Sequence, residues 1–186
     1  MIKNARVPIL GFAAFSGTGK TTLLVKLLPL LRQRDLRVGV IKHAPHGFDI
    51  DRPGKDSYEI RQAGATQTLI GSSQRWALVT ETQAPGAGSL DALVQNLDQD
   101  ALDCVLVEGF RDEAFPKIEL YRTCLGHPLM CVRDRSIIAV ASDGRLPVSL
   151  ELPVLDLNDP RQIADFVYET LFGERPRTAV KPTANY

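Results

Sequence analysis

The chain has 186 residues, a length that suits one α/β domain with a substantial core and is short for two. Lys plus Arg and Asp plus Glu each number 22, so the formal net charge is zero, which argues against a dedicated nucleic-acid-binding protein. No stretch approaches the roughly 18 to 20 apolar residues that span a bilayer, and residues 1–6 lead into a predicted strand rather than a signal-peptide core.

The cysteines bear on the cellular compartment. Cys104, Cys124 and Cys131 are odd in number and show no C-x-x-C spacing, so neither a disulfide framework nor a zinc site is indicated. We therefore expect a cytoplasmic protein in a reducing compartment, with neither a membrane nor a nucleic acid among its partners. Hydrophobic residues make up 44% and aromatic residues 6%, a profile typical of a parallel sheet covered by helices.

Predicted strands and helices alternate along the chain. The first half contains a strand at 7–14, a helix at 21–34, a strand at 36–42, a loop at 43–54, a helix at 57–63, and strands at 66–71 and 75–82. The second half contains a helix capped by Ser89, strands at 103–108, 117–121, 136–141 and 154–157, and a helix at 159–172. The tail 173–186 has two prolines and little apolar content, and we expect it to be disordered.

This alternation predicts one α/β domain over residues 1–172, with a mostly parallel sheet flanked by helices. Right-handed crossovers place the loops that follow the parallel strands at one edge of the sheet. A ligand is therefore expected at that edge.

The segment Ala14–Thr22, AFSGTGKTT, joins the first strand to the first helix and has the pattern of a phosphate-binding P-loop. Gly17 and Gly19 allow a tight turn with inward N–H groups, Lys20 reaches the β and γ phosphates, and the Thr21 hydroxyl binds Mg²⁺. Ala14 replaces the usual opening glycine and fits if its φ is negative. The alternative is a simple turn at a helix start. The predicted triphosphate-binding residues are Ser16, Gly17, Thr18, Gly19, Lys20, Thr21 and Thr22.

A carboxylate at the end of a buried strand is the expected second magnesium ligand. Glu108 follows the apolar run Val105–Val107, and Gly109 behind it leaves room for phosphates. The alternative is a glutamate that simply leaves the core at a strand end. Asp103, at the start of the same strand, is a weaker candidate because it belongs to the opposite end of the sheet.

The loop after the second strand concentrates charged and polar groups. We expect γ-phosphate and Mg²⁺ to order it, with Asp51 or Asp56 binding the metal directly or through water and Lys55 contacting phosphate or a partner's nucleotide. His43 and His46 offer a weaker metal pair. The bland alternative is a solvated loop in which Asp56 and Ser57 cap a helix. The predicted binding block is Gly54, Lys55, Asp56 and Ser57.

Base recognition is less visible in the sequence. The guanine signature Asn-Lys-x-Asp is absent from the chain. Asp143 follows a late apolar strand, where its carboxylate could accept hydrogen bonds from guanine N1 and N2, and the segment 157–160 follows another strand. A turn and a helix cap explain both segments equally well.

Several motifs occur together in a specific order. These are the phosphate loop, Ile41-Lys42-His43 followed by His46, the Gly54–Ser57 block, Gln74-Arg75-Trp76-Ala77, and Leu106-Val107-Glu108-Gly109-Phe110. From about residue 7 to residue 172, the chain thereby resembles the molybdopterin-guanine dinucleotide biosynthesis adaptor proteins, the MobB family. The phosphate loop alone is common to many nucleotide-binding proteins, whereas the combination is much more specific.

The resemblance implies a dimeric P-loop NTPase that binds GTP and Mg²⁺, hydrolyses GTP weakly, and assists the guanylyltransferase that joins GMP to molybdopterin. Molybdopterin itself is a further candidate ligand. By motif, the phosphate loop, the Gly54–Ser57 block and Glu108 would form the site, with Thr21, Asp56 and Glu108 at the metal. One alternative is a small-molecule kinase or ligase that transfers the γ-phosphoryl group. Another is a nucleotide-gated metal chaperone that uses His43, His46 and cysteines.

Overall fold

A six-stranded parallel sheet organises the protein. The computed structural model describes residues 2–44, 48–82 and 88–173. The sheet order is β2-β5-β1-β6-β7-β8, and every pairing is parallel. These strands are β1 (Ile9–Ala13), β2 (Val38–Lys42), β5 (Cys104–Glu108), β6 (Lys117–Tyr121), β7 (Ile137–Ser142) and β8 (Val154–Asp156). The predicted α/β architecture is confirmed.

Two long helices cover one face of this sheet. They are α1 (Lys20–Arg32) and α4 (Pro160–Phe172), and each presents an apolar stripe to the strands. Their leucine, isoleucine, alanine and valine side chains pack against alternate residues of β1, β6 and β7, such as Phe12, Ile118 and Ala139. The Asp159 side chain caps α4 by accepting from the backbone N–H groups of residues 161 and 162.

The opposite face is covered by a short helix and by loops. Helix α3 (Leu90–Val94) begins after Ser89, whose side chain accepts a hydrogen bond from the Ala92 N–H, as the sequence predicts. It packs Leu90 and Val94 against the central strands. Cys104 is fully buried, and burial raises the pKa of its thiol to about 11, consistent with a structural cysteine.

A separate antiparallel hairpin lies outside the main sheet. Both predicted strands form, as β3 (Gln67–Gly71) and β4 (Trp76–Thr80), but they pair only with each other among the described strands. The Ser72 side chain closes the turn by donating to the Arg75 carbonyl. Helix α2 (Asp56–Gln62) precedes the hairpin and contacts β3.

Strand β6 carries two charged side chains that are fully buried. Lys117 donates to the carbonyls of Arg111 and Glu113 at 2.7 and 2.6 Å, and it pairs with Asp134 at 2.7 Å. Glu119 accepts from the backbone N–H groups of Met130 and Cys131, both at 2.8 Å. These bonds hold the loop after β5 and the connection between β6 and β7 against the sheet, and they offset the cost of burying charge.

Two further points concern membrane-spanning helices and the tail. Within the described ranges, no helix is both long and apolar enough to cross a membrane. Residues 174–186 lie outside the described residues, so the expected disorder of the tail stays a prediction.

Candidate nucleotide-binding site

The sheet brings the carboxyl ends of three strands together. In register, Phe12 of β1 and Lys42 of β2 both lie opposite Glu108 of β5. The segments that follow these residues are the phosphate loop, the loop after His43, and the loop that begins with Gly109. The expected convergence of these segments at one edge is therefore observed.

The phosphate loop leads into helix α1 through two glycines with positive φ, Gly17 at 79° and Gly19 at 100°. Gly19 is the N-cap residue of α1 and supplies no side-chain cap, so the first N–H groups of the helix remain available to an anion. Ala14 is nearly buried and has a negative φ, which confirms that alanine is tolerated at the opening position. All of the predicted triphosphate-binding residues except Thr18 line a cavity of about 310 Å³ together with Glu108.

Lys20 lies over the phosphate loop with its charge partly desolvated. Its Nζ donates to the carbonyl of Ala14 at 3.0 Å and to the carbonyl of Phe15 at 3.3 Å. Burial lowers the pKa of this ammonium, and the nearby Glu108 carboxylate partly opposes that shift. Burial disfavours the charged ammonium, and the first N–H groups of helix α1 lie beside it without a side-chain cap. An anion bound here would interact favourably with both.

A hydroxyl, a carboxylate and a second lysine meet beside Lys20. The Thr21 hydroxyl donates to Oε1 of Glu108 at 2.8 Å, and Lys42 Nζ lies 3.6 Å from Oε2 of Glu108. Lys42 Nζ is also 3.5 Å from the Thr21 hydroxyl. Hard oxygen donors from a hydroxyl and a carboxylate are the donor set that Mg²⁺ prefers, so these residues fit the predicted ion.

The turn after Glu108 requires glycine at position 109. Gly109 has φ of 103°, and a Cβ there would lie 2.8 Å from the Cβ of His43. The His43 ring stacks on the Phe110 ring with centroids 4.3 Å apart. The backbone N–H of His43 donates to the Glu108 carbonyl at 2.9 Å. These contacts join the loop after β2 to the loop after β5 beside the candidate metal ligand.

The predicted block from Gly54 to Ser57 forms the start of α2. Gly54 has φ of 85°, Lys55 is the N-cap residue, and Asp56 opens the helix. A hydrogen bond from the Ser57 side chain holds the pKa of the Asp51 carboxyl below its usual range. Within the described ranges, no hydrogen bond or ion pair joins this block to the phosphate loop. Its role in the site stays a prediction.

The role of the histidine pair at a metal stays a prediction. His46 lies outside the described residues, as do its neighbours 45 and 47. Among the residues that the structure describes, no group of three or more His, Cys, Asp or Glu side chains is arranged to hold a metal ion. Asp103 lies at the opposite end of β5 and pairs with Arg37, whose hydrogen bonds lower the pKa of its carboxyl to about 2.

The side chain of Asp143, which directly follows β7, accepts hydrogen bonds from Thr123 and Arg122. Its Oδ1 accepts from the N–H and the hydroxyl of Thr123 at 2.9 and 3.1 Å, and its Oδ2 accepts from Arg122 Nη1 at 3.2 Å. The Thr123 N–H is the main cause of the lowered pKa of this carboxyl. Arg122 also donates through Nε to the Thr18 carbonyl at 2.8 Å.

Sequence reasoning missed Arg122. The available signal was its position: a charged residue directly after a buried strand, which is the same pattern that singles out Glu108. Its two partners follow different strands, Thr18 after β1 and Asp143 after β7, and only the order of the sheet brings them together.

The parallel sheet with a glycine loop between β1 and α1 defines a single-domain α/β protein with the architecture of P-loop NTPases. Residues 9–143 match the family model described as "Molybdopterin guanine dinucleotide synthesis protein B". The chain belongs to this family, as the sequence motifs predict.

Individual relatives agree with the family assignment. The chain is 52% identical to the molybdopterin-guanine dinucleotide biosynthesis adapter protein of Escherichia coli over 91% of its length and 96% of that protein. It is 44% identical to the corresponding adapter protein of Haemophilus influenzae over 88% of this chain and 89% of that protein. The crystal structure of Bacillus subtilis MobB superposes with a TM-score of 0.71 at 26% identity, covering 90% of this chain and 99% of that one.

Proposed function

We propose that the chain is a GTP- and Mg²⁺-binding adapter that assists the guanylyltransferase attaching GMP to molybdopterin. The observation that carries the nucleotide part is the hydrogen bond of 2.8 Å between Thr21 and Glu108 beside Lys20, at the mouth of the glycine loop. The adapter part is supported by the relatives, whose names describe adapters of molybdopterin-guanine dinucleotide biosynthesis. We propose a cytoplasmic location, in keeping with such a biosynthetic role.

In this proposal, the chain's own groups bind the nucleotide and shape a surface. The N–H groups of the phosphate loop and Lys20 bind the phosphates, while Thr21 and Glu108 hold Mg²⁺, which neutralises phosphate charge. Asp56 and the rest of its block complete the metal and phosphate contacts. The backbone N–H of His43 donates a hydrogen bond to the carbonyl of Glu108. Nucleotide binding at Glu108 therefore biases the loop after β2 toward one arrangement. The transferase then recognises that ordered loop.

Guanine recognition is assigned to Asp143. A carboxylate has about four acceptor positions, and the structure uses three of them in bonds with Arg122 and Thr123. One position on Oδ2 therefore remains for an N–H group of the base. We propose that this position accepts from guanine N1–H; adenine N1 in the same place is an acceptor that the carboxylate would repel, so the arrangement favours GTP.

The adapter is proposed to act as a homodimer through the β3-β4 hairpin. Leu69, Ile70, Trp76 and Leu78 of this hairpin are all exposed, with Trp76 at 70%. A two-stranded hairpin with apolar side chains in water has little stability alone, so a second copy is the expected cover. We expect Trp76→Glu to shift the protein toward a monomer in size-exclusion chromatography with light scattering. Val132→Glu, at an exposed position elsewhere, is the control, and an unchanged Trp76→Glu dimer would contradict the assignment.

A single-turnover assay tests the proposed function directly. The chain is mixed with GTP or ATP, with and without a guanylyltransferase loaded with molybdopterin. We expect GTP to bind preferentially with little turnover, and we expect the chain to increase the yield of the dinucleotide product. No effect on the transferase at saturating GTP would contradict the adapter role.

A phosphoryl-transfer function is the second candidate. A cavity of about 750 Å³ adjoins the phosphate loop and is lined by Lys20, His43 and Arg111 among others. A space of this volume is large enough for a small acceptor. Rapid, stoichiometric phosphorylation of a small acceptor in the same assay would favour this function over the adapter.

A further inference from the structure

The guanidinium of Arg122 connects two segments of the candidate site. Arg122 directly follows β6, which lies between β1 and β7 in the sheet. On one side Nε donates to the Thr18 carbonyl of the phosphate loop at 2.8 Å, and on the other Nη1 donates to Asp143 at 3.2 Å. The fork of the guanidinium allows both bonds at once.

The bond to Thr18 bears on the direction of a neighbouring N–H group. In a trans peptide the carbonyl of one residue and the N–H of the next point in opposite directions, and the described chain contains no cis peptide. A Thr18 carbonyl that faces Arg122 therefore turns the Gly19 N–H away from Arg122, toward the cradle. The third nitrogen, Nη2, lies 3.4 Å from the place where a Cβ on Gly19 would stand, so the guanidinium packs closely against this peptide.

The surroundings hold this arrangement in place. Thr18 is nearly fully buried, and its hydroxyl donates to the Phe15 carbonyl at 2.9 Å. Asp143 is itself fixed by two bonds from Thr123. Arg122 is thus held between a buried loop residue and an anchored carboxylate, rather than free in solvent.

We propose that Arg122, anchored by Asp143, is a positioning residue that orients the Thr18–Gly19 peptide so that the Gly19 N–H faces the phosphates. This inference rests on the proposed function, because it requires the loop to bind a triphosphate. It assigns to Arg122 no contact with the base and no part in hydrolysis. Its effect is to preorganise the anion cradle before the nucleotide arrives.

The test uses inorganic tripolyphosphate with Mg²⁺, because this probe contains the phosphates without the base. We expect Arg122→Ala to lower the affinity for tripolyphosphate and for GTP by about tenfold or more, the scale of one lost charge-assisted hydrogen bond. Arg122→Lys should recover part of this loss, since an ammonium can keep one of the two bonds. Arg135→Lys, an exposed arginine on the β6-β7 connection, is the matched control and should bind as the wild type does.

A spectroscopic measurement separates positioning from general stability. In the nucleotide-free protein, the amide NMR signal of Gly19 should shift in Arg122→Ala while the melting temperature stays within a few degrees of the wild type. Unchanged tripolyphosphate affinity in Arg122→Ala would overturn this inference but would leave the proposed function standing. If that variant fails to fold, Asp143→Asn decides in the same way: it should weaken tripolyphosphate binding by a smaller factor, and unchanged affinity would refute the role. A wild-type chain that binds neither probe would overturn the proposed function as well.

Discussion

Replacing Lys20 with alanine is expected to abolish measurable GTP binding while the domain remains folded. The ammonium lies at the entrance of the phosphate cradle, and a lost pair of charged hydrogen bonds, at about 1.5–3 kcal/mol each, corresponds to at least about a hundredfold loss of affinity. Titration calorimetry with GTP and Mg²⁺ measures this loss. Tripolyphosphate should lose affinity to a similar extent, because the proposed site assigns Lys20 to the phosphates and not to the base.

The folded state should tolerate the loss of Lys20. Burial lowers the pKa of this lysine, which means that the native state binds the proton less tightly than the unfolded chain does. The folded protein therefore disfavours the charged form of Lys20, so removing the ammonium is not expected to destabilise the fold. Lys26→Ala, on an exposed position of the same helix, is the control for stability and binding. Tight GTP binding by Lys20→Ala would contradict the assignment of the cradle.

The parallel sheet could be predicted because its strands are buried on both faces. Runs such as Cys104–Glu108 are apolar almost throughout and are bounded by turn residues or polar residues, which leaves little ambiguity about their type. Helix α4 was equally clear, because Asp159 and Pro160 mark its start. The ends of the elements differ from the predictions by no more than three residues, since the fraying of strand and helix ends depends on tertiary contacts.

The hairpin shows where sequence pattern stops being informative. The sequence predicts strands at 66–71 and 75–82, and their apolar residues do not specify which sheet the strands join. In the structure Leu69 and Trp76 are exposed, so their pattern reflects a surface and not the core. Alternation specifies which residues share a face, and it does not specify what covers that face.

The placement of the glycine loop and of Glu108 at one edge of the sheet could be predicted because each stands at the end of a parallel strand, and their binding roles stay predictions. The bonds of Arg122 could not be predicted, since Thr18 and Asp143 are distant from it in sequence and come close to it only through the order of the strands. For Lys117 a signal did exist: a lysine within a run that otherwise reads as a buried strand needs a buried partner. The sequence does not reveal that Asp134 is that partner.

Glu108→Gln should separate the metal from the nucleotide. An amide is a weaker ligand for Mg²⁺ than a carboxylate, so we expect GTP affinity in the presence of Mg²⁺ to fall by about tenfold or more. Without Mg²⁺ the affinity should stay the same or rise slightly, because the substitution removes a negative charge close to the phosphates. Calorimetric titrations with Mg²⁺ and with EDTA give the two values.

The geometry of the site makes this comparison informative. Glutamine can still accept the hydrogen bond from the Thr21 hydroxyl, so the local packing of this nearly buried side chain is retained. Asp112→Asn removes the same charge from the exposed tip of the same loop and should leave the effect of Mg²⁺ unchanged. An equal loss of affinity with and without Mg²⁺ in Glu108→Gln would mean that Glu108 supports the phosphate loop rather than the metal. A loss confined to the Mg²⁺ titration would place the carboxylate at the ion.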